Sequence, residues 1–226
     1  MVDAKIRVQR IETARSTPIW QYALTALVPA GVLAAVASTS PELQEQMFRD
    51  TYDAVQRMEP WHFPPVLGIV SNFGIVLWCA AWAITGFAAV ALLYKRQLHF
   101  GLFLMVQSFI SGLLMTDDLL LIHEQAYRID LHEAAVFLFY VILIAAWVVV
   151  FRSVLGRLGA GLLIVAGVAF AMSITGDQLN HFPHDLGILQ RWMEDATKLV
   201  GIAFWTAFAI RGSWILLDFG RSEAAS

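Results

Sequence analysis

The sequence predicts an all-α integral membrane protein, a six-transmembrane-helix bundle with an amphipathic surface helix between spans 1 and 2. The 226 residues are 58% hydrophobic and 15% charged, and the mean hydropathy is +0.65, which is too apolar for an ordinary soluble domain. The apolar residues gather in six runs of roughly the 20 residues that a helix needs to cross a bilayer. We therefore expect a single polytopic membrane domain over residues 1–226.

The six predicted spans are separated by polar connections. They cover residues 18–37, 65–94, 98–122, 131–151, 158–175 and 196–217. Ten of the fifteen Lys and Arg residues fall on the side of the N-terminal segment 1–17, four fall on the other side, and Lys198 lies inside the sixth run. The positive-inside rule then places both termini in the cytoplasm of a multi-pass inner-membrane protein.

Composition also excludes some function classes. The sequence contains neither a basic run nor basic residues interleaved with aromatic ones, so we expect no nucleic acid partner. The single cysteine, Cys79, rules out an internal disulfide and a metal site built from several thiolates. The eight Trp and fifteen Phe residues are expected to form interfacial belts and lipid-facing surfaces.

The long connection over residues 38–64 has a helical pattern of its own. Ser40 before Pro41 is typical of a helix N-terminus. Apolar and small residues then recur at helical spacing among acidic ones: Leu43, Met47, Thr51, Ala54 and Met58. This pattern predicts an amphipathic surface helix, either as a lid over an outer site or as a linker that rests on lipid headgroups.

Acidic residues and histidines concentrate on the outer side of the predicted bundle. Fourteen of the eighteen carboxylates and five of the six histidines lie there. A rise of about 1.5 Å per residue puts Asp117 and Asp177 roughly 30 Å from the cytoplasmic ends of their helices, which is the thickness of the hydrocarbon core. Glu133 begins the fourth span and Glu194 precedes the sixth, so four helices deliver polar groups to one level.

The third span carries the densest group. Asp117 and Glu124 are seven residues apart and share a face of a continuous helix, whereas Asp118 points about 100° away. Asp118 continues a stripe of Gln107 and Ser111 that we expect to face the bundle interior. The sequence therefore predicts that Asp118 is buried and that the face of Asp117 and Glu124 is more exposed.

The leading functional hypothesis is a membrane enzyme that uses a divalent metal on a lipid or another apolar substrate. Carboxylate and imidazole ligands without thiolate favour iron, manganese or zinc, and the reaction would be hydrolysis or oxidation. Glu124 or Glu194 would serve as acid or base. Lys198 would pair with Glu194, and it could also neutralise an acidic pocket or orient a liganding carboxylate. The candidate ligands are Asp118, His123, Glu133, Asp177, His181 and Asp195.

Two other functions remain open. The same acids could serve a proton- or cation-coupled transporter or channel, although transporters place their binding groups near the midplane. There the spans offer only a few polar residues: Thr85, Gln107, Ser108, Ser111, Ser173 and Thr206. The chain could also be a non-catalytic subunit of a membrane complex or a homo-oligomer.

Overall fold

The structure, a computed structural model, describes residues 16–48, 66–130, 132–178 and 188–224. Every regular element in these ranges is helical. A short 3₁₀ turn, Ala126–Ile129, precedes the sixth helix. The helices in chain order are α1 (Ile19–Ala37), α2 (Pro41–Phe48), α3 (Ile69–Tyr94), α4 (Leu98–Leu120), α5 (Ile122–Gln125), α6 (Glu133–Val150), α7 (Arg152–Leu158), α8 (Gly161–Gln178) and α9 (Ile188–Ala224).

Five helices in the described ranges are long and apolar enough to cross a membrane. They are α1, α3, α4, α6 and the Trp192–Asp218 part of α9. A sixth span exists if α7 and Gly161–Gly176 of α8 are taken together, although their axes differ by 109°. Between them Gly159 has a φ of 79°, a conformation that glycine adopts at little cost because it lacks a Cβ. The all-helical prediction is confirmed for the described ranges, and five or six candidate membrane spans are present in them.

The ends of α4 and α9 differ from the predicted ones. α4 stops at Leu120, whereas the apolar run continues to residue 122. α9 is 37 residues long and extends beyond the predicted span 196–217 at both ends. Hydropathy identifies only the apolar part of a helix, while backbone hydrogen bonding continues through polar residues.

The chain divides into two compact units. The first contains residues 1–18, 78–162 and 206–226. Its buried centre includes an aromatic cluster of Phe103, Trp147, Phe151 and Phe208. The rings of Phe103 and Trp147 stack at 5.1 Å, and Trp147 Nε1 donates to the Phe103 carbonyl at 3.2 Å. Phe151 contacts Phe103 edge-on at 5.5 Å.

The second unit contains residues 19–77 and 163–205. Val36, Phe48, Val70 and Leu199 form its buried apolar cluster. The Phe48 ring meets the Trp192 ring edge-on at 4.7 Å. The end of α2 is therefore packed on protein, which a linker lying on lipid headgroups would not require.

The start of α2 agrees with the sequence pattern. The Leu43 N–H donates to Ser40 Oγ at 3.4 Å, so Ser40 is the N-cap and Pro41 the first helical residue, as predicted. Trp192 Nε1 also donates to Gln44 Oε1 at 3.3 Å. The remainder of the predicted surface helix, residues 49–64, lies outside the described residues.

Candidate functional site

A break in the backbone at Leu121 positions the candidate site. Leu121 ends α4 in the left-handed region, with φ 51° and ψ 46°, and its N–H donates to the Asp117 carbonyl. A left-handed residue is a common way to end an α-helix, although glycine usually occupies that place. α5 starts immediately afterwards, at Ile122. The chain therefore turns back toward the last turn of α4.

The Asp117 carboxylate contacts His123 through both of its oxygens. Oδ1 accepts the His123 backbone N–H at 3.0 Å, and Oδ2 lies 2.7 Å from His123 Nδ1. Only 5% of the Asp117 side chain and 10% of the His123 side chain are exposed. A carboxylate in such surroundings requires hydrogen-bond donors, and the turn at Leu121 brings two from one residue.

The prediction that Asp117 lies on the more exposed face is wrong, because Asp117 is 4% exposed whereas Asp118 is partly exposed. The prediction assumed a continuous helix from residue 117 to 124, which would place Glu124 above Asp117. Since the helix stops at Leu120, His123 takes that place. The Glu124 side chain lies outside the described part, so its role as acid or base stays a prediction.

Two aromatic residues complete the surroundings of the acids. Trp78, which is 2% exposed, donates its indole N–H to Asp118 Oδ2 at 2.8 Å. The Tyr140 phenol lies close enough to both carboxylates to interact with them electrostatically. Sequence reasoning missed Trp78 because it assigned the Trp residues to interfacial belts and lipid-facing surfaces, and it gave Tyr140 no role. Neither residue carries a sequence signal at the level of the acids, since both lie well inside their predicted spans, 65–94 and 131–151.

The polar stripe predicted on α4 does face the interior of its unit. Gln107 and Ser111 are fully buried, and Ser111 Oγ donates to the Gln107 carbonyl at 2.9 Å. The Ser108 hydroxyl donates to the Trp82 carbonyl at 3.0 Å. The Thr85 hydroxyl donates to the Ala81 carbonyl at 2.7 Å and lies 3.2 Å from the Trp82 carbonyl. Within the described residues, neither amide atom of the Gln107 side chain has a hydrogen-bond partner.

Glu133 occupies the first turn of α6 and is partly exposed. His132 before it is the N-cap, and its Nδ1 accepts the Ala134 N–H at 3.3 Å. A carboxylate in the first turn interacts favourably with the helix dipole. These placements explain Glu133 and His132 as helix-start residues, and ligation of a metal by Glu133 remains a prediction.

The remaining candidate residues belong to the second unit. Glu194, Asp195 and Lys198 are partly exposed on α9. Close packing brings α8 to this part of α9: a Cβ added to Gly176 would lie 3.6 Å from the Glu194 Cα. The Asp177 side chain and the whole of His181 lie outside the described residues. Their predicted roles, and the predicted pairing of Glu194 with Lys198, stay predictions.

A metal site is not assembled in the ranges that the structure covers. Among those residues, no three or more His, Cys, Asp and Glu side chains are grouped so that they could hold a metal ion. Instead, Asp117 and Asp118 are each engaged by a hydrogen-bond donor. The described geometry at the end of α4 is thus a hydrogen-bonded carboxylate and imidazole pair with a second acid close by.

Comparison with known proteins adds a family to this description. No curated protein and no solved structure matches the chain. One family model does match, over residues 22–211, and it is described as a domain of unknown function, DUF8692. Because that match covers most of the sequence, this multi-pass helical chain belongs to the DUF8692 family.

Proposed function

We propose that the protein is a membrane transporter or channel coupled to protons or small cations, with Asp117 and His123 as its proton-exchanging pair. One observation carries the proposal: the nearly buried, 2.7 Å contact between the Asp117 carboxylate and the His123 imidazole. Imidazole exchanges protons in the physiological pH range. Ionisable groups at membrane depth are expensive, and they typically mark ion or proton pathways.

The contacts around the pair suit repeated protonation. When His123 binds a proton, its contact with Asp117 becomes an ion pair, and when it releases the proton, the carboxylate keeps the backbone N–H of the same residue. Asp117 therefore stays in place in both states. Asp118, held by Trp78, adds a second carboxylate that attracts cations to this end of α4.

Burial of the central polar residues supports a pathway through the bundle. Of the polar residues in the middle of the predicted spans, five belong to the first unit, and each is at most 4% exposed: Thr85, Gln107, Ser108, Ser111 and Thr206. Transporters place their binding groups at this depth. Polar side chains without a role in the interior could equally face the lipid. The burial of all five therefore favours a route for protons or cations through the interior.

The aromatic cluster of Phe103, Trp147, Phe151 and Phe208 would close such a route on one side. Phe103 lies one helical turn from Gln107, in the direction away from Asp118. Its side chain is fully buried, and Trp147 is 2% exposed. Apolar constrictions are a common way to close a path for ions or water. The polar stripe and this cluster together fit a path that is open toward the acids and closed beyond Gln107.

The test is proton flux into proteoliposomes, followed with a pH-sensitive dye under an imposed membrane potential. We expect Asp117→Asn and His123→Gln each to slow flux by about tenfold or more, the change that about 1.4 kcal/mol of barrier produces. Asp130→Asn is the matched control, because Asp130 is exposed and has a φ of 56°, which asparagine tolerates. Wild-type flux no faster than that of empty liposomes would reject the proposal.

A metal-dependent membrane enzyme is the second candidate. It is favoured by the contact of Asp117 with His123 Nδ1, since metal-ligating histidines usually give their other ring nitrogen to a carboxylate. His123 would then be a ligand of an iron, manganese or zinc ion that acts on an apolar substrate. The other ligands would be Asp118, Glu133, Asp177, His181 and Asp195, with Glu124 or Glu194 as acid or base.

Metal analysis separates the two candidates. The enzyme requires about one or two equivalents of a divalent metal in the purified protein and loss of that metal in His123→Ala and His181→Ala. Metal-free protein that still moves protons would reject the enzyme and support the transport proposal.

A further inference from the structure

The Gln107 side chain is a buried polar group that the proton-exchanging pair does not account for. It is 0% exposed, and neither Nε2 nor Oε1 has a hydrogen-bond partner in the described residues. Buried amides in proteins are almost always hydrogen-bonded, and the requirement is stricter in a membrane interior, where no bulk water can replace the partner. A buried amide left without partners therefore points to a bound species.

Ser108 follows Gln107 in the sequence, and its hydroxyl and that of Thr85 both lie near the Trp82 carbonyl. These two hydroxyl groups limit what that species can be. Thr85 donates its hydrogen to the Ala81 carbonyl at 2.7 Å, with the Trp82 carbonyl at 3.2 Å, and Ser108 donates to the Trp82 carbonyl at 3.0 Å. A hydroxyl has one hydrogen and two acceptor lone pairs. Thr85 and Ser108 thus offer oxygen acceptors, as does Gln107 Oε1, and this part of the unit is rich in acceptors.

The position of Gln107 connects it with the acids. Gln107, Ser111 and Asp118 follow one face of α4, and the distance from residue 107 to residue 118 along the helix is about 16 Å. Negative charge at one end of a path with low-dielectric walls concentrates cations there. In the other direction the path meets the buried Phe103 and Trp147.

We propose that Gln107 is the inner end of a binding site for a small monovalent cation, which Thr85 and Ser108 complete with oxygen ligands. This inference rests on the proposed transport function, because it names the ion that moves with the proton. Oxygen atoms of amides and hydroxyls are suitable ligands for a hard cation. The ion would enter past Asp118 and stop at the aromatic cluster.

The experiment measures thermal unfolding of the full chain in detergent, at equal ionic strength, in sodium chloride, potassium chloride or N-methyl-D-glucamine chloride. A ligand that binds only the folded state stabilises it, so we expect sodium or potassium to raise the Tm of the wild type by about 2–4 °C relative to the large organic cation. Gln107→Leu should remove this difference. Gln107→Glu, which keeps the acceptor oxygen and adds charge, should enlarge it.

Ser213→Ala is the matched control. Ser213 belongs to the same unit, is 3% exposed and has an Oγ without a hydrogen-bond partner in the described ranges, but it lies on α9 and is not one of the three proposed ligands. This variant should keep the wild-type response to sodium or potassium. An equal response in Gln107→Leu and Gln107→Glu, or no cation-specific shift in the wild type, would overturn the inference and leave bound water as the occupant.

Failure of this inference is distinguishable from failure of the transport proposal. If Asp117→Asn abolishes proton flux while sodium and potassium leave the Tm unchanged, the pair stands and the cation site is wrong. If Gln107→Leu removes a cation shift but the wild type moves no protons, the binding site stands and its role in proton-coupled transport is wrong.

Discussion

At the scale of single residues, the two adjacent acids have different partners although they are neighbours in sequence. Asp117 is held by His123, and Asp118 is held by the buried indole of Trp78. A hydrogen bond to a charged acceptor typically contributes about 1.5–3 kcal/mol. Trp78 is therefore expected to stabilise this end of α4 as well as to hold Asp118 in place.

This role predicts the outcome of a double-mutant cycle. Trp78→Phe should lower the free energy of unfolding by about 1.5–3 kcal/mol, and Trp78→Phe with Asp118→Ala should show a coupling energy of about 1 kcal/mol or more. The measurement is chemical unfolding in detergent micelles. Trp214→Phe is the control, because Trp214 is 78% exposed, and it should change stability by no more than about 0.5 kcal/mol. Additive losses at Trp78 and Asp118 would contradict the assigned bond.

Sequence alone located these residues better than it assigned their environments. The depth argument placed Asp117, Asp118 and His123 at one end of the third span, where the structure has them. It could not tell which acid is buried, because the answer depends on one left-handed residue, Leu121. A leucine in that conformation has no sequence signature, unlike glycine.

At the scale of helices, close packing in the second unit depends on small residues at particular positions. A Cβ added to Gly201 on α9 would lie 2.7 Å from the ring of Phe170 on α8, whereas one added to Gly167 would meet nothing within 4 Å. Small residues within membrane-spanning helices commonly permit close contact between helices. The structure supports this for Gly201 but offers no such contact for Gly167.

The two glycines predict opposite effects of the same substitution. Gly201→Ala should destabilise the protein by about 1–3 kcal/mol, since the Phe170 ring must move. Gly167→Ala should stabilise it by roughly 0.5–1 kcal/mol, because alanine restricts the unfolded chain and favours the helix. Thermal unfolding of both variants in the same detergent provides the comparison. A loss of stability at Gly167 equal to that at Gly201 would show that the contact with the Phe170 ring does not decide the effect of the substitution.

Helix existence was easier to predict than helix ends. Apolar runs of about 20 residues are sufficient to identify α1, α3, α4 and α6, and Ser40 with Pro41 identified the start of α2. The sequence predicted a connection over residues 152–157, where the structure has the short helix α7, and it did not locate the break between α7 and α8. Its cause is the backbone at Gly159, and a glycine within an apolar stretch does not by itself distinguish a break from a continuous span.

At the scale of the whole molecule, the break between α7 and α8 decides how many times the chain crosses the membrane. If this bent pair crosses, the chain has six spans, and the exposed residues Ser16, Lys95 and Asp218 share the cytoplasmic side that the distribution of Lys and Arg predicts. If the pair enters and leaves on one side, only five helices cross. Asp218 would then lie on the opposite side from Ser16.

Accessibility of single cysteines distinguishes these topologies. Cys79 is exposed, so it is first replaced by serine, and cysteine is then introduced at Ser16, Lys95, Arg128 or Asp218, all of which are exposed. In intact spheroplasts a membrane-impermeant maleimide should label Arg128→Cys alone, and the other three should react only after lysis. Labelling of Asp218→Cys before lysis would show five crossings. Labelling of Ser16→Cys and Lys95→Cys but not Arg128→Cys would reverse the orientation and place the Asp117 and His123 pair at the cytoplasmic surface.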